Sequence, residues 1–184
     1  MAETTTTGFG KFGIKEVADV KFYKITNGTA STTADLEFDT LKVSNLEFTS
    51  EEAFARGGKG NPKLITWDYN REATLTLQDA LLSMDTLAMI FGATEGNSID
   101  INADKYPDFY KIEGTTWART LDGSDKLFTF TIPKAKISSN VTLTMEAEGD
   151  PTVFDMTITA LQSTGENNTK LPLVMLSMAE KPKE

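Results

Sequence analysis

The sequence predicts a mainly β chain: an antiparallel β-sandwich or barrel with a long protruding β-hairpin and one short flanking α-helix. Three observations carry that expectation. Residues 41–79 alternate apolar and polar side chains on both sides of a glycine-rich turn, and a period of two means strands with one buried and one wet face. Residues 108–161 read as four further strands separated by turn-forming clusters, the pattern of an antiparallel sandwich or barrel. Residues 84–91 space their apolar side chains by three and four, as a short helix does.

Taken in order, residues 1–13, MAETTTTGFGKFG, are expected to be a flexible N-terminal arm that orders on a neighbouring copy. Residues 14–178 are expected to form a single domain and residues 179–184 a charged tail. Within 14–25, Val20, Phe22 and Ile25 point to a strand, with a weak helical alternative through Val17, Val20 and Tyr23. Residues 26–33 are a polar loop, and Leu36 and Phe38 fit a short strand.

The long hairpin is expected over 42–78. In its second strand Ile65, Trp67, Tyr69, Ala73, Leu75 and Leu77 hold the odd positions, while Thr66, Asp68, Asn70, Glu72, Thr74, Thr76 and Gln78 hold the even ones. In its first strand Leu46, Phe48 and Phe54 oppose Asn45, Glu47, Thr49 and Glu51. Regular pairing through the tip, Arg56, Gly57, Gly58, Lys59, Gly60, Asn61 and Pro62, would place Glu47, Glu51, Asp68 and Glu72 on one continuous surface, with Asn70 and Thr74 beside them. Trp67, Tyr69 and Phe48 would then be core beneath the hairpin. A lone hairpin is marginal in water, and long strand edges leave backbone donors and acceptors in need of partners. This pattern points to self-assembly.

Ser83 is the expected N-cap of a helix over 84–91, with Asp85 in the first turn and Gly92 after the last. Met84, Leu87, Ala88, Ile90 and Phe91 would pack across one opening of the sandwich, or alternatively dock on a partner. Residues 93–104 read as a loop with at most a short strand at Ile99 and Ile101. Asp100, Asn102 and Asp104 mimic the start of a calcium loop, but the positions that require glycine and glutamate hold neither. The remaining strands are expected over 108–119, 127–135, 141–147 and 153–161, with turns at 121–125, 138–140 and 148–151 and a last strand within 171–178. Trp117, Phe128 and Phe130 are expected as core, and Pro107, Pro133 and Pro151 as strand-boundary or edge markers.

The 184 residues include no cysteine and no histidine. That removes disulfides, thiol catalysis, thiolate metal sites, the commonest general base and the commonest transition-metal ligand. No cofactor, metal site or catalytic residue is expected, although carboxylate-only glycoside hydrolysis survives the cut. The formal net charge is -9, which disfavours binding to nucleic acid through phosphate neutralisation. No apolar run approaches the roughly 20 residues needed to span a bilayer, and the N-terminus lacks the basic start and apolar stretch of a secretory signal. The expectation is a chain made in a bacterial cytoplasm, with no membrane partner.

The run ARGGKGNPKLITWDYNREATLTLQDALLS at 55–83, then SMDTLAMIFGA, and EGDPTVFDMTITAL at 148–161, resembles the tail tube proteins (major tail proteins) of tailed bacteriophages and of phage-tail-like particles. The resemblance implies a virion structural protein whose hairpins close, copy to copy, into a β-barrel lining the channel of hexameric rings. Those rings stack into a tube through which DNA passes without specific binding. It also implies contacts with other tail proteins: tape measure, baseplate or tip initiator, and terminator. A related tube carrying no DNA is the alternative, and a carbohydrate-binding or carboxylate-hydrolase sandwich is a more distant one.

The hairpin carboxylates accordingly admit three readings. They line a shared channel, they are an ordinary solvated sheet face, or they are an acid/base pair across a cleft. The third lacks an aromatic platform for a sugar on the same face. The proposed lining is Glu47, Glu51, Asp68, Asn70, Glu72 and Thr74. The tip residues Arg56, Gly57, Gly58, Lys59, Gly60 and Asn61 are candidates for contacts between rings, or simply a soluble loop; they lack the spacing and following helix of a Walker loop.

Overall fold

Two long hairpins organise the chain. The computed structural model describes residues 10–138 except 82 and 95, and residues 154–180 except 166 and 167. The strands are β1 (Phe12–Ile14), β2 (Asp19–Thr26), β3 (Thr29–Ala30), β4 (Leu36–Phe38), β5 (Leu41–Arg56), β6 (Lys63–Asp79), β7 (Phe109–Thr120), β8 (Asp125–Ile137), β9 (Phe154–Ala160) and β10 (Met175–Glu180), with one helix, α1 (Met84–Phe91), after β6. They form a single ten-stranded sheet in the order β3-β2-β7-β8-β9-β6-β5, with β1 also on β7, β10 also on β8 and β4 also on β2. Every pairing is antiparallel. The fold is the expected mainly β class with its protruding hairpin and flanking helix. The sheet is branched and, among the described residues, not closed into a barrel.

The core lies where the alternation puts it. Val20, Phe22, Leu75, Leu77, Ile112, Ile132, Ile137 and Ile158 are fully buried, and Phe22 meets Phe38 and Tyr110 edge-on at 5.3 and 5.9 Å. The helix turns Ala88, Met89 and Ile90 inward. Its ends are closed as the sequence requires: the Ser83 hydroxyl accepts from the Thr86 N–H at 3.1 Å, and Gly92 takes φ 63. A Cβ on Gly92 would lie 2.3 Å from the Tyr106 carbonyl oxygen, so no other residue fits there without moving backbone.

The second hairpin, β7–β8, belongs to both branches of the sheet. One edge of β8 takes β10 along Lys126–Thr131 and β9 from Ala135 onward. Pro133 falls in the gap between these partners, beside a register shift in the β7 pairing. A residue with no N–H is tolerated where no ladder needs one. Pro133 therefore divides a strand rather than bounding it, while Pro107 precedes β7 as expected.

Other expectations shift for local reasons. The strand read over 14–25 is two, because residues 12–14 pair with β7 and only 19–26 continue. Residues 99–101 form no strand; Asn102 Nδ2 donates to the Asp100 carbonyl at 3.2 Å and the Lys105 N–H to that of Asn102 at 3.4 Å, closing turns instead. The last strand starts at Met175 because Ser163–Gly165 and Thr169–Leu171 first pair with each other, with the Leu171 N–H donating to the Ser163 carbonyl at 2.9 Å. Trp117 is 37% exposed and Phe128 half-buried, whereas Phe130 is core. The strand at 141–147, the turn at 148–151 with Pro151, residues 139–140 of another turn, residues 1–9 of the arm and 181–184 of the tail lie outside the described residues.

The β7–β8 turn carries a titration signature. Asp122 accepts from the Thr120 hydroxyl, and from the N–H and hydroxyl of Ser124 at 3.1 and 2.9 Å. These bonds favour the ionised form and hold its pKa at about 2, against an ordinary 3.8. A depressed carboxylate pKa stabilises above the unfolded value and loses that contribution as pH falls through the folded one. The Ser124 amide should therefore stay protected from exchange at pH 4 and lose protection toward pH 2. In Asp122→Asn, whose amide oxygen accepts but does not titrate, protection should be the same at both. NMR-detected exchange between pH 2 and 5 measures this.

Candidate functional site: the hydrated face of the long hairpin

The base of the hairpin is anchored by its own core. On β6, Ala73, Leu75 and Leu77 are buried, and their partners across the ladder are Phe48, Leu46 and Ser44. The opposite side carries Asn45 beside Thr76, Glu47 beside Thr74 and Thr49 beside Glu72. Directly paired residues share a face, so the hydrated surface can be traced from strand to strand. It crosses to β9 through Thr74–Thr159, Thr76–Thr157 and Gln78–Asp155, the last with a 2.9 Å bond from Gln78 Nε2 to the carboxylate. From Thr159 it reaches Lys136 on β8. Asp155, Thr157, Thr159 and Lys136 thus belong to the face, though none was singled out from the sequence. The polar alternation of 155–159 was visible, but the pairing of β9 with β6, some 80 residues apart in sequence, was not.

Beyond Thr49 the ladder changes. Thr49 pairs with Glu72 but Glu51 pairs with Tyr69, so Asn70 and Arg71 together oppose Ser50. Asn70 takes φ 49, the left-handed conformation that asparagine tolerates better than other side chains. This β-bulge shifts the parity of β6 relative to β5. On the tip side of it Tyr69, Trp67 and Ile65 lie on the face of Glu51, Ala53 and Ala55, while Asp68 pairs with Glu52 on the other. The expected quartet is therefore corrected: Glu47, Glu51 and Glu72 share a face with Thr74, Asp68 does not, and Asn70 sits in the bulge.

Three aromatic assignments change with it. Trp67, Tyr69 and Phe48 are 53, 45 and 52% exposed rather than core, because the hairpin projects past the last β9 pair, Thr74–Thr159. The acidic face does carry aromatic rings, but on the tip half alone.

The tip residues Arg56, Gly57, Gly58, Lys59, Gly60 and Asn61 come together as a compact turn. The Asn61 N–H donates to the Gly58 carbonyl at 3.1 Å, and the Gly57 N–H to that of Pro62 at 3.3 Å. Gly58, Gly60 and Asn61 all take positive φ. Lys63 Nζ and the Arg56 guanidinium lie 3.8 and 4.9 Å from the Phe54 ring, a cation–π arrangement. A strand follows this turn, so it cannot act as a phosphate loop. Among the described residues no group of three or more acidic side chains is placed to hold a metal ion, and no helix is long and apolar enough to cross a membrane.

The hairpin is also open at its edges. Among the described residues nothing pairs with the outer edge of β5, nor with the edge of β6 away from β5 between Lys63 and Ala73. No curated protein matches this sequence. A family model described as the YomU/Tube protein family matches residues 12–95 and 92–172, most of the chain.

Proposed function

We propose, because the chain belongs to the YomU/Tube protein family, that it is a structural subunit of a bacteriophage tail tube. In this reading copies join through the open edges of β5 and β6, the hairpins close into a barrel in hexameric rings, and the rings stack into a channel for DNA. The observation that carries it is one hydrated face, running from β8 to the free edge of β5, with Glu47, Glu51 and Glu72 on the strands that need partners. The subunit works by geometry and charge rather than by catalysis. Its other contacts are the tape measure, tip or baseplate initiator and terminator of the tail, and its place is the virion tail, assembled in the host cytoplasm.

The charge has a definite reach. Duplex DNA carries one negative charge per about 1.7 Å, and at physiological salt electrostatic effects fade over about 8 Å. An acidic lining therefore acts only on DNA that approaches the wall, keeping a hydrated gap instead of a row of phosphate contacts. Between the carboxylates and Lys136 lies a neutral band of Thr74, Thr76, Thr157 and Thr159, which offers hydroxyls but no countercharge.

Two measurements test this. Negative-stain microscopy of the purified chain at rising concentration should show rings or tubes. Glu47→Lys/Glu51→Lys/Glu72→Lys should still assemble yet reduce DNA delivery at least tenfold in particles rebuilt with it, while Asp68→Gln delivers normally. Normal delivery by the triple variant would remove the electrostatic part of the reading.

A further inference from the structure

We infer that the cavity between β1 and the far end of β7 is a binding site for one neutral sugar ring, which lies on Trp117 and is held at its edge by Arg119 and Asp125. The inference goes beyond the tube reading and does not depend on it. Phe109, the β7 partner of Lys136 on the hydrated face, lies eight residues back from Trp117, about 27 Å along an antiparallel strand. The cavity therefore stands apart from the proposed lining.

The cavity exists because two strands share one edge of β7 unevenly. Ile14 stands opposite Ala118 and Asp19 opposite Thr115, so Lys15–Ala18 span a stretch that β7 covers with Thr116 and Trp117 alone. The surplus arches away from the ladder, as extra residues in a strand do. It is pinned where the Thr116 hydroxyl donates to the Glu16 carbonyl and the Ala18 N–H to the Ser44 hydroxyl, both at 3.1 Å. The space left is about 460 Å³, within the range of about 300–1,000 Å³ usual for small-ligand sites. Gly13 pairs with Arg119, and Arg119 with Asp125. Directly paired residues share a face, and Trp117, two positions along β7, lies on it too. Gly13 adds no side chain, and a Cβ there would meet nothing within 4 Å.

Charge and shape select the ligand. The walls hold two cations, Lys15 and Arg119, and two anions, Glu16 and Asp125, so the site favours neither sign. The Arg119 guanidinium meets Asp125 as a fork, Nε to Oδ1 at 2.7 Å and Nη2 to Oδ2 at 3.0 Å. Asp125 and, to a smaller extent, Glu16 raise its pKa, so both carboxylates act on it. Two of its five N–H groups are committed in the fork, and its side chain is 70% exposed. The fork thus presents donors and acceptors side by side at a fixed spacing. Adjacent ring hydroxyls, each donor and acceptor at once, match that spacing. Trp117, 37% exposed, supplies the other half of the match: the face of its ring is negative, and the C–H face of a pyranose is weakly positive. A purine base would also stack there, yet it brings no adjacent hydroxyls for the fork.

Trp67→Phe leaves Trp117 as the one tryptophan of the chain, so its fluorescence reports on the site directly. Titrated with the methyl glycosides of glucose, galactose, mannose and N-acetylglucosamine, this variant should show a saturable change with at least one of them. Glucuronate, glucosamine and adenine should bind more weakly than that sugar. Adding Gly13→Val should abolish the response with an unchanged or higher melting temperature, because valine suits a strand and its Cβ meets no neighbour. In calorimetry on the parent chain, Arg119→Lys, which keeps the charge but loses the fork, and Trp117→Ala should each weaken binding of the same sugar about tenfold. No saturable response to any of the four sugars, or a response that survives Gly13→Val, would overturn the inference. Tighter binding of glucuronate, glucosamine or adenine would overturn it as well. None of these results touches the tube reading, which the appearance of rings or tubes decides by itself.

Discussion

A chain in which residues 50–71 are replaced by Asn-Gly should fold with an almost unchanged melting temperature and form no tubes at all. The first half of that result follows from burial. No residue from Phe48 to Glu72 is buried, so the deletion removes none of the apolar contacts that dominate stability. Surface changes away from special features typically alter stability by only about 0.5 kcal/mol. Thr49 and Glu72 already pair, and Asn-Gly supplies the type I′ turn that joins paired strands most readily. The second half follows from what the removed residues leave open: two unpaired strand edges, the exposed aromatic face and the cationic tip. Circular dichroism melting and sedimentation of the same preparation measure both halves. Tubes from the shortened chain would show that assembly is carried elsewhere; a collapsed melting temperature would show that the hairpin serves its own body.

One added methyl group is expected to have a large effect on folding. Gly114→Ala should lower stability by about 1–3 kcal/mol, the usual range for overpacking a full core, seen as a fall of several degrees in melting temperature. Gly114 is not in the left-handed region, so its backbone admits alanine, and the change taken alone would stabilise by about 0.4–1 kcal/mol through the unfolded chain. The packing reverses the sign. Gly114 pairs with Phe130 on one side and Val20 on the other, and the Phe130 ring covers it so closely that a Cβ would sit 2.1 Å from two ring carbons. Phe130 is itself 5% exposed and has nowhere to retreat. Phe130→Ala should cost about 3–5 kcal/mol in the parent and less in the Gly114→Ala background, because the ring's removal relieves the clash. A double-mutant cycle by urea unfolding reads this coupling. Additive losses would mean that the ring is not held where it stands.

What the sequence revealed was what depends on near neighbours. Alternation located β5, β6, β8 and β9 to within a few residues, and Ser83 and Gly92 bounded the helix, because faces and caps are decided inside a single element. The bulge escaped because it exists only between strands. Nothing in 69–72 says that two residues will face one, although an asparagine able to take a positive φ is a permissive sign. Trp67 and Tyr69 were misplaced for a related reason: hydrophobicity states that a side chain avoids water, not whose surface hides it. The partition of β8 between β9 and β10 depended on partners far along the chain, and the proline marking it read equally well as a strand end.

The positions of β1 and β10 carry a consequence of their own. Phe12 lies opposite Thr120 and Glu180 opposite Lys126, the Leu121 N–H donates to the Lys11 carbonyl, and the Glu180 carboxylate pairs with the Lys126 ammonium. Both ends of the described fold therefore leave from one corner, beside the turn at Asp122. Topologically the described part of the fold is nearly a closed loop. A circular permutant could join Lys11 to Glu180 by a short linker and be cut open at the far end of the hairpin, and labels attached at these two residues would report from almost the same point in space.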